Sequence, residues 1–402
     1  MTEYLTIYTV MHQPQRVKLP AHIIPSETKF TDLKNYIFDH EMNKFYLNKV
    51  AKECYFPAIE QFNKLLDKGF KISLGISVSF LEQARWWNKP LLKKLKKMVA
   101  HPNVELVCVE PYHSFIFYID IELFIERMKW ARNYLQEYFD KEINVTDTTE
   151  MFMSNDVYFA LQKAGFKGAF MDGRPWILEW REPTHLYNHP NQELKLFTRH
   201  LKLSDDVGYR FSNRGWSGYP LQADDYAHWI RDANGDFLLL GWDFETFGEH
   251  HKKDTGIFEF ISHLPEELKK RNVKMKNPSE IIKMFGSKSF PLEVKDFGST
   301  WAGSGGMEFF LGNSAQQAVF RLMHHVLNKA KLTGKKTLMD IAMKLTQSDN
   351  LHLIQWAGRY GEEAEVSAYF TPREWWSLGP DNLLVEQQRV YQNFIHFMDR
   401  HI

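Results

Sequence analysis

The sequence predicts an α/β chain: a parallel β/α barrel completed by helices. Three observations carry this. Short apolar runs alternate with helix-periodic stretches, giving about seven strand–helix units before residue 285, one short of the usual eight-fold barrel. Two of those runs end on a carboxylate followed by helix-start chemistry, Glu150 in Thr148-Thr149-Glu150-Met151-Phe152-Met153-Ser154-Asn155-Asp156 and Asp243 in Gly241-Trp242-Asp243-Phe244-Glu245-Thr246-Phe247-Gly248-Glu249-His250. A parallel barrel sets catalytic groups in that position, at the C-terminal ends of its strands. Helical spacing takes over from Asn313 onward, so residues 1–285 are expected to form the barrel and 286–402 a helical domain.

Taken in order, Leu5 to Val10 reads as a buried strand ending at His12-Gln13-Pro14-Gln15-Arg16, where a histidine faces the barrel mouth unless it is a satisfied structural one. Tyr46, Val50, Cys54, Ala58, Phe62 and Leu65 recur at helical spacing, and Gly69 closes that helix. Ile72 to Phe80 is the second expected strand; a charged, solvated helix covers Pro90 to Val99; Val104 to Val109 leads into Glu110-Pro111-Tyr112-His113-Ser114. A helix over Leu123 to Phe139 and a short run at Ile143 to Val145 lead to Glu150. Asn155-Asp156 caps a helix that Gly165 ends, and Gly168 to Met171 runs to Asp172. Arg174 to Gln192, with Pro175, Pro183 and Pro190, reads as a long loop over the site. Leu194 to Leu203 follows, with Ser204-Asp205-Asp206 as a cap, and Phe237 to Trp242 is the clearest buried strand. Thr300-Trp301-Ala302-Gly303-Ser304-Gly305-Gly306 reads as a flexible connection; it lacks the Gly-Lys-Ser/Thr ending of a phosphate loop, which excludes nucleotide binding there. Helices are expected at Ala315 to Ala330, Lys336 to Thr346 and Leu384 to His401.

Charge narrows the partners. Fifty basic and fifty acidic residues balance, so no net field draws the chain to nucleic acid or an anionic membrane. Cys54 and Cys108 lie in apolar patterns and suit a reducing compartment rather than a disulfide framework. With no basic leader before the first strand and no apolar run near 18 residues, the expected location is cytoplasmic, with no membrane span. No cofactor is expected, and the oligomeric state is left open. Aromatics are the outlier, 31 Phe, 17 Tyr and 12 Trp. Most must be core, yet Trp86-Trp87, Trp216, Trp242, Trp301, Trp356 and Trp375-Trp376 mostly lie beside Gly, Pro or charge, where two or three can serve as flat platforms for sugar rings.

Paired carboxylates suit glycoside hydrolysis, in which one protonates the departing oxygen and the other attacks the anomeric carbon or activates water. A single acid at a strand end is more often an N-cap or an ion-pair partner. Here the neighbourhood tips the balance. His12-Gln13-Pro14-Gln15-Arg16, Thr149-Glu150-Met151-Phe152 and Trp242-Asp243-Phe244-Glu245-Thr246-Phe247-Gly248-Glu249-His250, in this order, resemble glycoside hydrolase family 57, most closely its α-amylase-like members. Asp254-Thr255-Gly256-Ile257-Phe258, Leu311-Gly312-Asn313 and Gln347-Ser348-Asp349-Asn350 also fall where that family carries motifs. The resemblance implies a distorted, TIM-like (β/α)7 barrel followed by a helical domain, action on α-1,4-glucans or maltooligosaccharides, a retaining mechanism and no metal. It implies Glu150 as nucleophile and Asp243 as acid/base, with His12 and Asp349 contacting sugar and His113 as a third contact. Trp216, Trp242, Trp301 and Trp356 are the candidate sugar platforms. The second motif, Gly75-Ile76-Ser77-Val78-Ser79-Phe80, lacks the acid that some members place there.

Glu245 and Glu249 compete for the acid role; Asp243 is preferred as nearest the strand end. Hydrolysis and 4-α-glucanotransferase chemistry share every residue named. Two rivals stand outside them: a metal-dependent deacetylase, for which the adjacent pairs His250-His251 and His324-His325 point apart on any regular element, and a glucan-binding homologue without catalysis.

Overall fold

A computed structural model describes residues 1–356 and 372–401. Its frame is seven parallel strands that are buried on both faces and therefore apolar almost throughout: β1 (Tyr4–Met11), β2 (Ile72–Ile76), β3 (Val104–Val107), β4 (Val145–Thr146), β5 (Gly168–Asp172), then, after a short β6 (Leu186–Asn188), β7 (Lys195–Arg199) and β8 (Leu238–Asp243). β1 pairs with β2 and β8, β2 with β3, β4 with β5, β5 with β7, and β7 with β8 through Arg199↔Leu239. Between β3 and β4 the only ladder among the described residues is one parallel bridge, Cys108↔Thr146, with the Cys108 N–H donating to Val145 O (3.0 Å) and the Asp147 N–H to Cys108 O (2.8 Å). Alternate residues separate two layers: Tyr8, Val10, Val107, Phe170, Phe197 and Leu239 form an inner cluster, while Leu5, Ile7 and Met11 pack outward with the helices. Gly75 is required inside, because a Cβ there would lie 2.6 Å from the Tyr8 hydroxyl and 2.7 Å from Val109 Cγ1.

Two expected strands are shorter, for the same reason. Ser77 accepts from the Phe80 N–H at 3.1 Å and starts a helix, Val78–Trp87, so β2 stops at Ile76 rather than running to Phe80. His200 does likewise, its Nδ1 3.3 Å from the Leu203 N–H; β7 stops at Arg199, and Ser204-Asp205-Asp206 lies within the helix Leu201–Gly208 instead of capping it. The expected loop over 174–192 contains a short helix, Pro175–Leu178, and β6, which runs antiparallel to β7.

After β9 (Lys274–Met275), which joins β1, residues 286–305 form a strap rather than a free connection. β10 (Phe290–Pro291) pairs with β6; Ser299 and Met153 exchange N–H···O bonds at 2.9 and 3.0 Å; and the Trp301 N–H donates to Glu150 O at 3.1 Å. The later helices are Ser314–Thr333, opened by an Asn313/Gln316 capping box, then Lys336–Leu345, Asp349–Trp356 and Pro380–Asp399. Gln347 ties them to the barrel. Its Oε1 accepts from the Gln15 N–H (2.9 Å) and its Nε2 donates to Gln15 O (2.7 Å). Among the described residues no helix is long and apolar enough to cross a membrane.

Gln347→Ala would strand two buried backbone groups of Gln15. We expect a loss of about 2–3 kcal/mol, read as a lower midpoint in calorimetry or denaturant titration.

Candidate active site

The turn after β4 is held in a conformation its residues disfavour. Glu150 (φ 59°, ψ 33°) and Met151 (φ 49°) are both left-handed without being glycine, at a cost on the order of 1–3 kcal/mol each. Surrounding bonds impose it: Thr149 Oγ1 donates to Ser114 O at 2.6 Å, the Phe152 N–H to Thr149 O at 2.9 Å, and the strap holds the Glu150 carbonyl. The turn presents the carboxylate to the Trp301 indole, whose Nε1 donates to Oε2 at 2.6 Å, with His113 Nδ1 3.8 Å from Oε1.

His113 is itself left-handed (φ 58°). Glu110, fully buried below it, accepts from the N–H groups of Tyr112 (3.0 Å) and Ser114 (2.6 Å) and so shapes that loop. Burial pushes the Glu110 carboxyl up to about 7 despite those donors. The His113 ring stacks on His12 with centroids 4.5 Å apart and planes 21° from parallel. His12 follows β1; its Nδ1 lies 2.9 Å from Ser77 Oγ and its Nε2 3.1 Å from Asp349 Oδ2. Asp349 begins the helix Asp349–Trp356 and reaches the mouth because Gln347 is clamped and the Ser348 N–H donates to His113 O at 2.8 Å.

Asp243 is the last residue of β8, in register with Val10 of β1, so it emerges beside the His12 loop. Burial lifts Asp243 to about 7, Arg199 opposing and Asp349 adding to the rise. Burial lifts Glu150 to about 8, with the charge of Asp243 next in importance and the Trp301 N–H opposing. The charge of Asp243 felt at Glu150, and that of Asp349 felt at both, place the three carboxyls in one mouth. Burial works against the Asp349 carboxylate, but His12 and then His113 hold it below its ordinary range. Burial drives His113 down to about 3, leaving it neutral.

Several groups at the site escaped sequence reasoning. Arg199, the last residue of β7, bonds Gly241 O (2.9 Å) and Asp172 (3.1 Å), with its guanidinium 5.6 Å from the Trp301 ring centroid. Asp172 also holds Arg174 Nε at 2.5 Å, and Arg174 donates to Trp301 O at 2.6 Å. Tyr8 crosses the interior to donate to Asp147 Oδ2 at 2.7 Å, and burial lifts Asp147 to about 8. All but Arg174 and Tyr8 share one legible signal, a charged residue within a residue or so of a strand's C-terminal end.

The rival acids are otherwise engaged. Glu245 accepts from the Tyr55 hydroxyl, which receives Gln13 Nε2 at 2.9 Å, and burial raises it well above the usual range. Glu249 pairs with Lys49 (2.5 Å) and Lys252 (3.1 Å).

Of the tryptophans, Trp301 stands at the site. Trp242 does not act as a sugar platform: it is 2% exposed, its Nε1 donates to Ser204 O at 2.8 Å, and its ring packs edge-on against Phe247. Trp216 packs on Trp229 (6.4 Å) and under Arg210 (5.8 Å). The Trp356 side chain lies outside the described residues. His12, His113 and Asp349 offer ligand atoms within 4.8 Å of one another, the set that would hold a cation. Imidazole lone pairs lie in the ring plane, however, and two nearly parallel stacked rings aim past each other rather than at one tetrahedral centre. The set suits hydrogen bonding to adjacent hydroxyls better.

Known proteins resemble the chain as a whole. The family model for glycosyl hydrolase family 57 matches residues 6–295. A protein of Methanocaldococcus jannaschii, provisionally named an alpha-amylase, is 34% identical over 361 residues, covering 87% of this chain and 76% of that one. Among solved structures, a GH57 branching enzyme from Thermococcus kodakaraensis superposes with a TM-score of 0.63 at 11% identity, over 97% of this chain and 90% of that one. The 4-alpha-glucanotransferase of Thermococcus litoralis gives 0.63 at 12% identity, over 96% of this chain and 59% of that one. These two likenesses are of fold, the (β/α)7 barrel with its helical continuation; the match along the sequence is what assigns the chain, which belongs to glycosyl hydrolase family 57.

Proposed function

We propose that the chain is a retaining, α-amylase-like hydrolase of α-1,4-glucans, with Glu150 as nucleophile and Asp243 as general acid and base. The observation that carries this is a mouth in which Trp301 holds Glu150, His113 and the bonded His12–Asp349 pair face it, and Asp243 ends β8 beside the His12 loop. Glu150 attacks the anomeric carbon as Asp243 gives its proton to the departing glucosyl oxygen. Asp243 then takes a proton from the incoming water, whose oxygen displaces Glu150. Such a pair stands about 5–5.5 Å apart. His12 and Asp349, already bonded to each other, would hold the hydroxyls of the sugar at the reacting centre.

Proton placement follows from the site. Between the two values, about 7 for Asp243 and about 8 for Glu150, the pair carries a single proton. The productive arrangement has it on Asp243. The Trp301 N–H favours it by stabilising charge on Glu150. When a sugar hydroxyl replaces water as the acceptor, the same residues carry out transfer, so the acceptor alone separates the two activities.

The deciding experiment follows the products formed from maltooligosaccharides. Shortened chains are expected; a redistributed ladder would mean transfer, and no turnover of any α-glucan would remove the proposal. Glu150→Gln should lower kcat by at least about 10³-fold. The pH dependence of kcat/KM in the wild type should be bell-shaped, falling below about pH 7 and above about pH 8, since one carboxyl must be charged and the other protonated.

Stability should move the other way. A carboxyl whose folded value rises from 4.5 to about 8 contributes no penalty below pH 4.5, a growing one as pH climbs, and its full penalty above about 8. Glu150→Gln removes it. The side chain is 22% exposed and so partly relieved by water; the variant should gain about 1–2 kcal/mol over wild type at pH 9 and almost nothing at pH 4.5, measured as denaturation midpoints.

A further inference from the structure

Beside the mouth, two segments that hold Trp301 also carry aromatic rings that no core contact accounts for. Trp176, in the helix Pro175–Leu178, and Phe297, on the strap, stack with centroids 5.8 Å apart and planes 24° from parallel, yet remain 42% and 62% exposed. Trp180 is 81% exposed, with the Arg181 guanidinium 4.7 Å from its ring centroid. Single exposed aromatics are ordinary, but a cluster of them marks a binding surface.

The cluster is built, not loose. Lys295 on the strap pairs with Glu179 at 3.1 Å, Arg181 pairs with the same carboxylate at 3.3 Å, and Arg181 Nε donates to Pro291 O at 3.1 Å. Glu179, at φ 59° and ψ −112°, takes a strained backbone to reach this position. The ions thus lock helix and strap together around the stacked pair. Both segments continue directly into the site: Arg174, two residues before Trp176, donates to the Trp301 carbonyl, and Phe297 precedes Trp301 by four residues on the strap whose indole bonds Glu150.

We propose that Trp176 and Phe297, with Trp180 beside them, form a second contact surface for the α-glucan chain, gripping glucosyl units that extend beyond the reacting bond. A glucose ring offers an apolar C–H face to an electron-rich aromatic face and hydroxyls at its edge to polar groups, and this surface supplies both, stacked rings bordered by Arg181, Glu179 and Lys295. Continuity with the site selects this occupant: a chain too long for the mouth passes next over the strap. The inference rests on the α-glucan reading above for the identity of its ligand.

The test compares wild type with Trp176→Ala/Phe297→Ala and with the conservative Trp176→Phe, using glycogen affinity gels and kinetics on amylose and maltotetraose. The double variant should lose most retention by glycogen, raise KM for amylose by about tenfold and change kcat/KM for maltotetraose by less than about twofold, with Trp176→Phe largely restoring retention. The proposal is overturned if wild type is not retained by glycogen, if the double variant keeps its retention and amylose KM, or if both substrates suffer equally alongside a lowered melting temperature. A concentration-dependent dimer of the wild type, lost in the variant without change in glycogen retention, would likewise overturn it by making the patch a self-interface. Retention that depends on these two residues in a protein that turns over no α-glucan would keep this surface and remove the catalytic reading.

Discussion

Carboxyl groups crowded into a space poor in water are the constraint to which the rest of the molecule is fitted. Asp147, Glu150, Asp243, Glu245 and Asp349 lie close enough for neighbours to feel one another's charge. The chain meets this with a specific donor at several acids: Tyr8 on Asp147, Trp301 on Glu150, Tyr55 on Glu245 and His12 on Asp349. The buried cations behind the mouth are neutralised first, Arg199 and Arg174 sharing Asp172. A bare arginine facing Asp243 would hold it ionised; one already paired only moderates the effect of burial. The site therefore retains protons near neutrality without a metal-like concentration of charge.

Much of this was legible along the chain because a parallel barrel couples position to role. Glu150 and Asp243 stand out as acids where apolar runs end, and the strand–helix alternation marks the frame. What local pattern misreads is where an apolar run changes geometry. Ile72 to Phe80 looks like one strand, yet a single serine hydroxyl at Ser77 turns its second half into a helix and supplies a partner for His12. Trp242 illustrates the opposite error: beside a glycine and an acid at a strand end it reads as a sugar platform, whereas alternation along β8 turns it away from the mouth onto Ser204. The pairing of Trp301 with Glu150 spans 151 residues and has no local signature at all.

The helical continuation and the strap help build the mouth rather than hang from the barrel. Asp349 enters the mouth from the helical side, fixed by Gln347 on Gln15, and the strap delivers Trp301 while pinning the backbone of Glu150. A Gly-rich stretch such as 300–306 suggests mobility when read alone. In place, its glycines let the chain pass closely over Arg174 and Phe309, where a Cβ on Gly305 would lie 2.7 Å from Arg174 Nε and one on Gly303 2.9 Å from Phe309 Cδ2.

The left-handed turn at Glu150 has an evolutionary corollary. Its backbone and its ionisation are both held uphill, so an amide in place of the acid, or a glycine in place of the whole residue, runs downhill in folding energy. Neutral drift alone would erode this position faster than an ordinary surface acid. On the proposed mechanism, its retention in a lineage would record purifying selection on catalysis, and glucan-binding descendants that have shed it should be the sturdier proteins.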